Sequence, residues 1–578
     1  MSRLTQSMVT TARRLAQVLL WGWSVSVWAA PDAGSLLQQL EARPAGNRVA
    51  PQLKTPQVPT PPAAETGGAV VRVNAFRFEG QTLLGPEDLH AALKGFTERD
   101  LSLTQLQEAA WVIVQSYREA GWLAHALVPE QEIEGGVVTL RVIEARLGQV
   151  RTEFPEGTKL PRQHIEAMAQ AHLAQGQPIN LNQLDRLILL LGDLPGVVAN
   201  ASFVQGKLDL STDVRIAISQ SKALDASITT DNFGAISTGR TRISANILAS
   251  NPADLGDALQ LQGVATDGSR YGRLAYNWPV GLQGIRAGLH ASDMRYRLVG
   301  SFAALQASGS AQTWGLDLTA PWVRQSGRNL NLLLNTDHKR FDNLALANVA
   351  ATQATTVSNY RIDVLRAGLS GHWIDTLLTP AQNTLGLQAS WGKVDLRFSP
   401  NVGADALAAH TAGAFSKLNV NFSREHNLTD QTTAYLQAGA QWANRNLDSS
   451  EKLYLGGASS VRAYPSSEAG GTSGTTATVG LRHRINDAFS WNAFADWGRV
   501  QVYKNNTSAS GHELINTNTQ TLKGAGVSVN WRSPQGHEVS ATWSRRLGAN
   551  PAAHPTTGAD NDGTFIVNRW WLSATLNF

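Results

Sequence analysis

The second half of the chain alternates apolar with polar or small residues at a period of two. In the last segment, every second residue from Trp570 to Phe578 is apolar, and most residues between them are polar. This period is typical of a β-strand with one apolar face. Segments of this kind predict sixteen strands after Lys222. They lie near residues 223–231, 239–249, 257–266, 270–280, 283–295, 310–321, 328–340, 360–371, 384–395, 413–425, 431–443, 475–485, 489–501, 521–532, 537–547 and 567–578.

The connections between these segments alternate in length. Those after even-numbered strands are mostly short, and the long ones follow odd-numbered strands. Short turns alternating with long loops are typical of an outer-membrane barrel, and an even strand number returns the C-terminus to the side of the N-terminus. A soluble β-sandwich is the alternative, but it does not need an apolar face on so many strands. We therefore predict a transmembrane barrel over residues 222–578. Its closing strand carries the lipid-facing residues Trp570, Leu572, Leu576 and Phe578.

Two smaller units precede the barrel. Residues 71–148 and 149–221 each predict the order β-α-α-β-β, with a single strand running from Val71 to Phe78 in the first. Thr104 and Gln107 are the candidate capping box of the longer helix in the first unit. The predicted fold class is thus mainly β: a 16-stranded transmembrane barrel after two α+β units.

The N-terminus predicts export. Arg3, Arg13 and Arg14 precede an apolar core at 15–28 and a small-residue site at Ala29/Ala30, so residues 1–29 are predicted to be a cleaved signal peptide. This core is too short to cross a bilayer as a helix. Residues 30–43 then predict a short amphipathic helix, and the Pro-rich segment 44–70 predicts an extended linker. A helix on such a tether can dock at a distant site, although a disordered tail is the commoner explanation.

Composition excludes several classes of function. The chain has 578 residues, a formal net charge of +4 and no cysteine. The charge is too small to indicate a nucleic-acid-binding protein, and without cysteine there are no disulfides and no thiolate metal sites. There is no phosphate-binding loop motif, and His512-Glu513 lacks the second histidine of a zinc protease. We expect no enzymatic activity, no cofactor and no metal. A serine hydrolase inside the barrel stays open, although the lipid-facing parity of His483 argues against it.

Two motifs lie at specific places in the predicted barrel. The long loop 444–474, after the eleventh strand, contains a glycine pair followed by the sequence VRAYP. Its residues are Gly456, Gly457, Val461, Arg462, Ala463, Tyr464 and Pro465. The thirteenth strand contains Phe494, Asp496 and Gly498, which alternate with an apolar set and therefore point into the lumen.

This organisation resembles the two-partner secretion transporters (TpsB type), the hemolysin secretion/activation proteins, over essentially the whole mature chain. The family pattern is VRGYP, so Ala463 replaces a glycine, which would be unfavourable if that position had a positive φ. Pro129, Glu130 and Gln131, followed by a glycine pair and a strand, look like the end of the family's first POTRA domain.

The resemblance implies two periplasmic POTRA domains, at 71–148 and 149–221, before the translocating barrel. It implies that the VRAYP loop folds into the barrel, that Arg462 meets Asp496, and that the helix in 30–43 plugs the lumen. The partners implied are a large secreted protein (an adhesin, a hemolysin or a contact-dependent toxin), outer-membrane lipids and the barrel assembly machinery. We expect a monomer in the outer membrane. An insertase for other barrels is the alternative, and a passive porin is a weaker one because it would lack POTRA domains.

Overall fold

The computed structural model describes residues 32–41, 70–206, 211–346, 351–377 and 379–578. The predicted signal peptide and nearly all of the Pro-rich linker lie outside these residues. In the described part of the chain, no helix is both long enough and apolar enough to cross a membrane. The first described element is helix α1 (Ala33–Glu41).

The first α+β unit packs two helices on a three-stranded sheet of order β2-β5-β4. Its elements are β1 (Val70–Val73), β2 (Ala75–Glu79), α2 (Pro86–Ala92), β3 (Arg99–Ser102), α3 (Leu103–Glu119), β4 (Ala124–Leu127) and β5 (Val137–Glu144). Ile113 and Tyr117 of α3 are fully buried in its core. Burial raises the pKa of Glu144, but hydrogen bonds from Thr82, Leu83 and Tyr117 outweigh it and hold that pKa below its usual value.

Two local predictions for this unit are wrong. The segment predicted as one strand is divided into β1 and β2, because β1 pairs with β3, a short strand that has no clear alternation of its own. The capping box of α3 is formed by Ser102 and Gln105, not by Thr104 and Gln107. The helix begins at Leu103, so Thr104 is already inside its first turn and cannot be the N-cap.

The second unit has the same layers, with sheet order β6-β8-β7. Its elements are β6 (Arg146–Glu153), α4 (Arg162–His172), α5 (Leu181–Gly192), β7 (Val197–Gln205) and β8 (Ser211–Gln220). The side chain of Asn180 accepts a hydrogen bond from the backbone N–H of Gln183 at 3.0 Å, which caps α5. Its apolar face, including Leu187 and Leu191, lies against the sheet.

The rest of the chain is a closed barrel of sixteen antiparallel strands, as predicted. The strands are β9 (Leu224–Asp231), β10 (Arg242–Ser250), β11 (Ala258–Ala265), β12 (Ser269–Val280), β13 (Ile285–Arg297), β14 (Ser308–Gln325), β15 (Arg328–Leu346), β16 (Ala354–Asp375), β17 (Ala381–Asp395), β18 (Gly413–Asn427), β19 (Thr432–Ala443), β22 (Ser473–Arg484), β23 (Phe489–Gln501), β24 (Thr519–Arg532), β25 (Glu538–Arg546) and β26 (Asn568–Asn577). A helix, α6 (Val402–Leu407), lies in the loop after β17. Between β19 and β22, the short strands β20 (Leu453–Leu455) and β21 (Ala469–Gly471) form a separate hairpin.

Strands β14, β15 and β16 are longer than their hydrophobic pattern predicts. At the extracellular ends of β15 and β16, the additional residues on the outer face are mostly polar, such as Asp342 and Asn359, so the apolar alternation stops before the hydrogen-bonded ladder does. The pattern measures the part of a strand that faces hydrocarbon, whereas the ladder continues above it.

The barrel closes where 573–577 of β26 pair with 227–231 of β9. Trp570, Leu572, Leu576 and Phe578 are exposed on the outer face of this seam. Closure matters because an open sheet edge cannot be satisfied in lipid. Trp571 faces the other way, and its side chain is buried in the lumen.

Candidate functional site

The loop between β19 and β22 folds back into the barrel. Ala463 and Tyr464 are completely buried there, and Val461 nearly so. The turn at Gly456 and Gly457 has φ values of +96° and +91°, which glycine adopts without strain. A Cβ atom at Gly456 would lie 2.1 Å from the carbonyl oxygen of Pro465, so the backbone at Gly456 approaches the end of the VRAYP segment too closely for any other residue.

Arg462 and Asp496 are in direct contact at the centre of this loop. The Nε and Nη2 atoms of Arg462 donate to Oδ2 and Oδ1 of Asp496 at 3.0 and 2.7 Å, a bidentate pair. The backbone N–H of Arg462 donates to the same carboxylate at 3.0 Å, and the Thr478 hydroxyl donates at 2.9 Å. The Asp496 side chain is almost completely buried. The carboxylate therefore holds both the side chain and the main chain of residue 462.

The surroundings of Arg462 fix it to four strands of the wall. Its guanidinium carbon lies 3.2 Å from the ring centre of Phe494, a cation–π contact. Its carbonyl oxygen accepts hydrogen bonds from the Ser544 hydroxyl and the Trp571 indole N–H, each at 2.7 Å. Phe494 and Asp496 belong to β23, Thr478 to β22, Ser544 to β25 and Trp571 to β26. The loop tip thus lies against the strands next to the closing seam.

The remaining motif residues form the packing around this pair. The Cβ of Ala463 approaches Gly524 so closely that a Cβ there would lie 2.6 Å away. The backbone at Ala463 does not have a positive φ, so alanine in place of glycine brings no conformational cost. A Cβ at Gly498 would clash with Leu455 and Val461, and the Arg546 guanidinium lies 4.6 Å from the ring centre of Tyr464.

Helix α1 occupies the lumen beside the loop. Leu36 and Leu37 are buried among lumen-facing side chains of the barrel wall, such as Met294 and Phe341. The backbone N–H of Ala33 donates to Asn343 on β15 at 2.9 Å. Two glutamines bind the loop directly: Gln38 donates to the carbonyl of Lys452, and Gln39 donates to Ser467 at 2.7 Å. Helix and loop together fill this part of the barrel.

A buried charge cluster joins the same loop to the wall, and the sequence did not reveal it. Glu451 accepts from Lys417 at 2.8 Å, from Lys339 at 2.9 Å and from Arg366 at 3.3 Å. Burial opposes its ionisation, but the attraction of Lys339, Lys417 and Arg366 holds the pKa of Glu451 well below its usual value. The alternation along β15, β16 and β18 predicts that the side chains of these three cations face the lumen. No pattern in the sequence predicts that a glutamate of the loop contacts them.

The predicted POTRA motif, Pro129 to Gln131, lies in the first α+β unit and not in the barrel. Its contacts are local. The Gln131 amide donates to the carbonyls of Pro129 and Thr139 at 3.2 and 2.9 Å, and its oxygen accepts from the backbone N–H of Thr139 at 2.7 Å. Glu130 is exposed. The glutamine thereby ties the connection after β4 to strand β5. In the described ranges, no three His, Asp or Glu side chains are grouped to hold a metal ion.

Comparisons with known proteins follow the same division of the chain. The family description "Haemolysin secretion/activation protein ShlB/FhaC/HecB" matches residues 211–531, and that of the ShlB-type POTRA domain matches residues 71–145. The chain is 25% identical to the heme/hemopexin transporter protein HuxB of Haemophilus influenzae over 588 aligned positions, covering 99% of each chain. It is 25% identical to the outer membrane transporter CdiB of Escherichia coli over 78% of this chain and 74% of that protein. The solved structure of CdiB from Escherichia coli superposes with a TM-score of 0.65 at 20% identity, covering 92% of this chain and 94% of that chain.

Proposed function

We infer from the family to which this chain belongs, the haemolysin secretion/activation proteins ShlB/FhaC/HecB, that its barrel exports a large partner protein across the outer membrane. The first α+β unit is a POTRA domain, and its place before the barrel puts it in the periplasm. We propose that the second unit is a POTRA domain as well, because its two helices and three-stranded sheet repeat the first. No catalytic step and no cofactor are part of this proposal.

The observation that carries the proposal is the occupied lumen. Helix α1 and the VRAYP loop are held there by hydrogen bonds and ion pairs, and neither segment belongs to the strand ladder of the barrel. A contact of this kind can be released without breaking a strand ladder. In the export state, α1 would leave the lumen on its Pro-rich tether while the Arg462–Asp496 pair keeps the loop tip on the wall.

Capture of the partner would occur at an edge of the POTRA sheets. β2 and β4 are the outer strands of the first sheet, and β6 and β7 are the outer strands of the second. An extended segment of the partner could add to one of these edges through main-chain hydrogen bonds, with side chains supplying selectivity. We propose a secreted protein of the adhesin, hemolysin or contact-dependent toxin class. The names of HuxB and of the hemolysin transporter protein ShlB of Serratia marcescens refer to heme/hemopexin and to hemolysin.

The deciding experiment is secretion of a candidate exoprotein, chosen as the product of a neighbouring gene for a large secreted protein. Co-expression of the two genes in a host without other such transporters should place the partner in the medium, and omission of this chain should retain it in the periplasm. Two readouts separate the alternatives. An insertase would lower the amounts of other outer-membrane barrels when it is deleted, and a porin would admit small solutes without exporting the partner. Secretion unchanged by omission of this chain would refute the proposal.

A further inference from the structure

The outer wall of the barrel carries a cluster of cations at the extracellular ends of β15, β16 and β17. We call Arg340, Arg361, Lys393 and Arg397 the outer basic patch. The first three are exposed and alternate with buried lumen-facing residues such as Phe341 and Ile362, so they point away from the lumen. Arg397 lies two residues after the end of β17. The patch therefore faces the membrane side of the wall and not the export route.

The register places the patch immediately above the apolar belt. Arg340 lies directly opposite Arg361, and Arg361 lies opposite Asp395. Two rows nearer the periplasm, Leu365 lies opposite Trp391, and both are exposed on the same outer face. Exposed tryptophans at such a level are typical of a membrane interface. The patch thus lies where hydrocarbon gives way to headgroups, and it lies at the end of the barrel opposite the periplasmic POTRA domain.

The positive charge of the patch is only partly compensated. Asp395 accepts from both Arg361, at 3.0 Å, and Arg397, at 2.8 Å, while Asp363 is occupied by His338 at 2.6 Å. Arg340 forms no ion pair among the described residues, not even with Asp342 two positions along its own strand. Like charges directly opposite each other on adjacent strands are destabilising. An anion shared by Arg340 and Arg361 would remove that repulsion.

A surface cavity completes the site. It has a volume of about 320 Å³, and its lining includes Arg340, Arg361 and Phe398. His338 and Asp395 also line it, and Asp395 is the carboxylate that already accepts from Arg361. The Phe398 side chain is 89% exposed, an unusual position for an aromatic residue unless it contacts an apolar partner. The cavity thus combines paired guanidinium groups, which suit phosphate oxygens, with an apolar side chain at its rim.

From these features we propose that the outer basic patch binds a phosphorylated glycolipid of the outer leaflet, of the lipid A class. Arg340 and Arg361 would share one phosphate, Phe398 would contact the glycolipid, and the acyl chains would lie along the belt formed by Leu365 and Trp391. This site goes beyond protein export. Because neither arginine faces the lumen, it would anchor the barrel in the asymmetric membrane rather than conduct the partner.

The test is a titration of the full-length protein, in detergent and free of lipopolysaccharide, with purified diphosphoryl lipid A, read by native mass spectrometry. Basic residues near a membrane surface each contribute about fivefold to binding of anionic lipid, so the R340Q/R361Q variant should bind about 25-fold more weakly. The matched control is R499Q/K523Q, which removes two exposed cations from β23 and β24. There, Arg499 lies opposite Thr521, and Lys523 lies opposite Trp497, so neither has a facing cation. The control should stay within about twofold of the unchanged protein.

Three results would overturn the site. An equal loss in the control variant would reduce the effect to general surface charge. Equal binding of phosphatidylglycerol would show that the site does not select the glycolipid. Displacement of lipid A by millimolar inorganic phosphate would indicate a site for the free ion. If R340Q/R361Q did not accumulate as a heat-modifiable barrel, R340Q alone should still weaken binding about fivefold. An unchanged affinity in that single variant would also refute the proposal.

Discussion

At the scale of single residues, the Asp496 carboxylate does more than neutralise a charge. It accepts from the guanidinium of Arg462, from the backbone N–H of the same residue and from Thr478. The backbone contact does not depend on which side chain stands at 462. Removal of the carboxylate therefore releases the loop more completely than removal of the guanidinium does.

This asymmetry makes the pair testable. Asp496→Ala and Arg462→Ala should each reduce secretion strongly, about tenfold or more, with Asp496→Ala the more severe, while the barrel still reaches the membrane. Breaking a buried pair costs about 3–5 kcal/mol, and a wet lumen relieves part of that. Arg462→Lys should restore little, because lysine lacks the planar fork. The measurement is a double-mutant cycle on secretion yield, normalised to barrel abundance.

The exchange of Arg462→Asp with Asp496→Arg should recover only a part of the activity, since it cannot restore the backbone contact. Arg445→Ala is the matched control, because Arg445 lies in the same loop and, among the residues that the structure describes, bonds only to the carbonyls of Ala414 and His410. Strictly additive losses at 462 and 496 would show that the two residues act separately.

Glu468 predicts a pH dependence of loop stability. Burial raises its pKa to about 7, the neighbouring Asp560 and Asp562 act in the same direction, and hydrogen bonds from Asn550 and the Asn561 backbone only partly oppose them. A carboxyl with a raised folded-state pKa loses stability as the pH rises from its unfolded value through 7. Glu468→Gln should therefore stabilise the protein at pH 8, by about 2–3 kcal/mol, and change little at pH 4.5.

The measurement for Glu468 is the temperature at which heat-modifiable gel mobility is lost, at both pH values. Glu513→Gln removes an exposed glutamate from another external loop and should shift neither temperature. A Glu468→Gln shift of equal size at both pH values would contradict the argument, because it would not depend on ionisation.

At the scale of elements, the seam between β26 and β9 is the shortest ladder of the barrel, with five paired positions. Beyond the backbone ladder, it includes a hydrogen bond between the hydroxyls of Thr229 and Thr575 at 2.9 Å. The backbone N–H of Phe578 extends the pairing by donating to the carbonyl of Ala226 at 2.9 Å. The terminal residue is thus part of the wall.

Deletion of residues 568–578 should abolish accumulation in the outer membrane. The deletion exposes the edges of both β9 and β25, and lipid cannot satisfy their backbone groups. Outer-membrane fractions would be probed for the protein and for heat-modifiable mobility. Thr575→Ala keeps the strand and removes only a hydroxyl, so it should accumulate normally. A truncated protein at normal level with heat-modifiable mobility would refute the assignment of the closing strand.

At the scale of the whole molecule, the two α+β units and the barrel are joined by specific contacts. The backbone N–H of Ile179 in the second unit donates to Ala145 at 2.9 Å, and that of Leu123 donates to Ile179 at 3.1 Å. At the barrel rim, Arg324 binds Asp193 through two hydrogen bonds of 2.7 and 2.8 Å. A segment captured on either sheet is therefore held at a defined place relative to the barrel entrance.

Removal of residues 71–220 should leave a barrel that inserts but exports nothing, because the capture sites are lost while the strand ladder is intact. The partner protein would be assayed in the medium and in the periplasm. The deletion also leaves Arg324 without Asp193, so the same deletion with Arg324→Gln separates lost capture from an uncompensated charge. Secretion at the original level in either variant would show that capture lies elsewhere.

The barrel could be predicted from the sequence alone, because period-two alternation indicates directly which face of a strand lies against lipid. The sequence also placed Asp496 in the lumen, because parity along one strand is a local property. The prediction for the capping box of α3 was wrong, and β3 was not predicted. Ser102/Gln105 and Thr104/Gln107 both fit the capping-box pattern within a few residues, and β3 ends at the same Ser102.

The contacts between distant segments could be read only from the folded chain. Glu451 meets Lys339, Lys417 and Arg366 inside the barrel, and Arg340 meets Arg361 on its outer wall, although no local pattern joins these residues. The physical reason is that periodicity fixes the direction in which each side chain points. Which side chains then become neighbours depends on the register of the closed ladder and on the path of a folded-back loop.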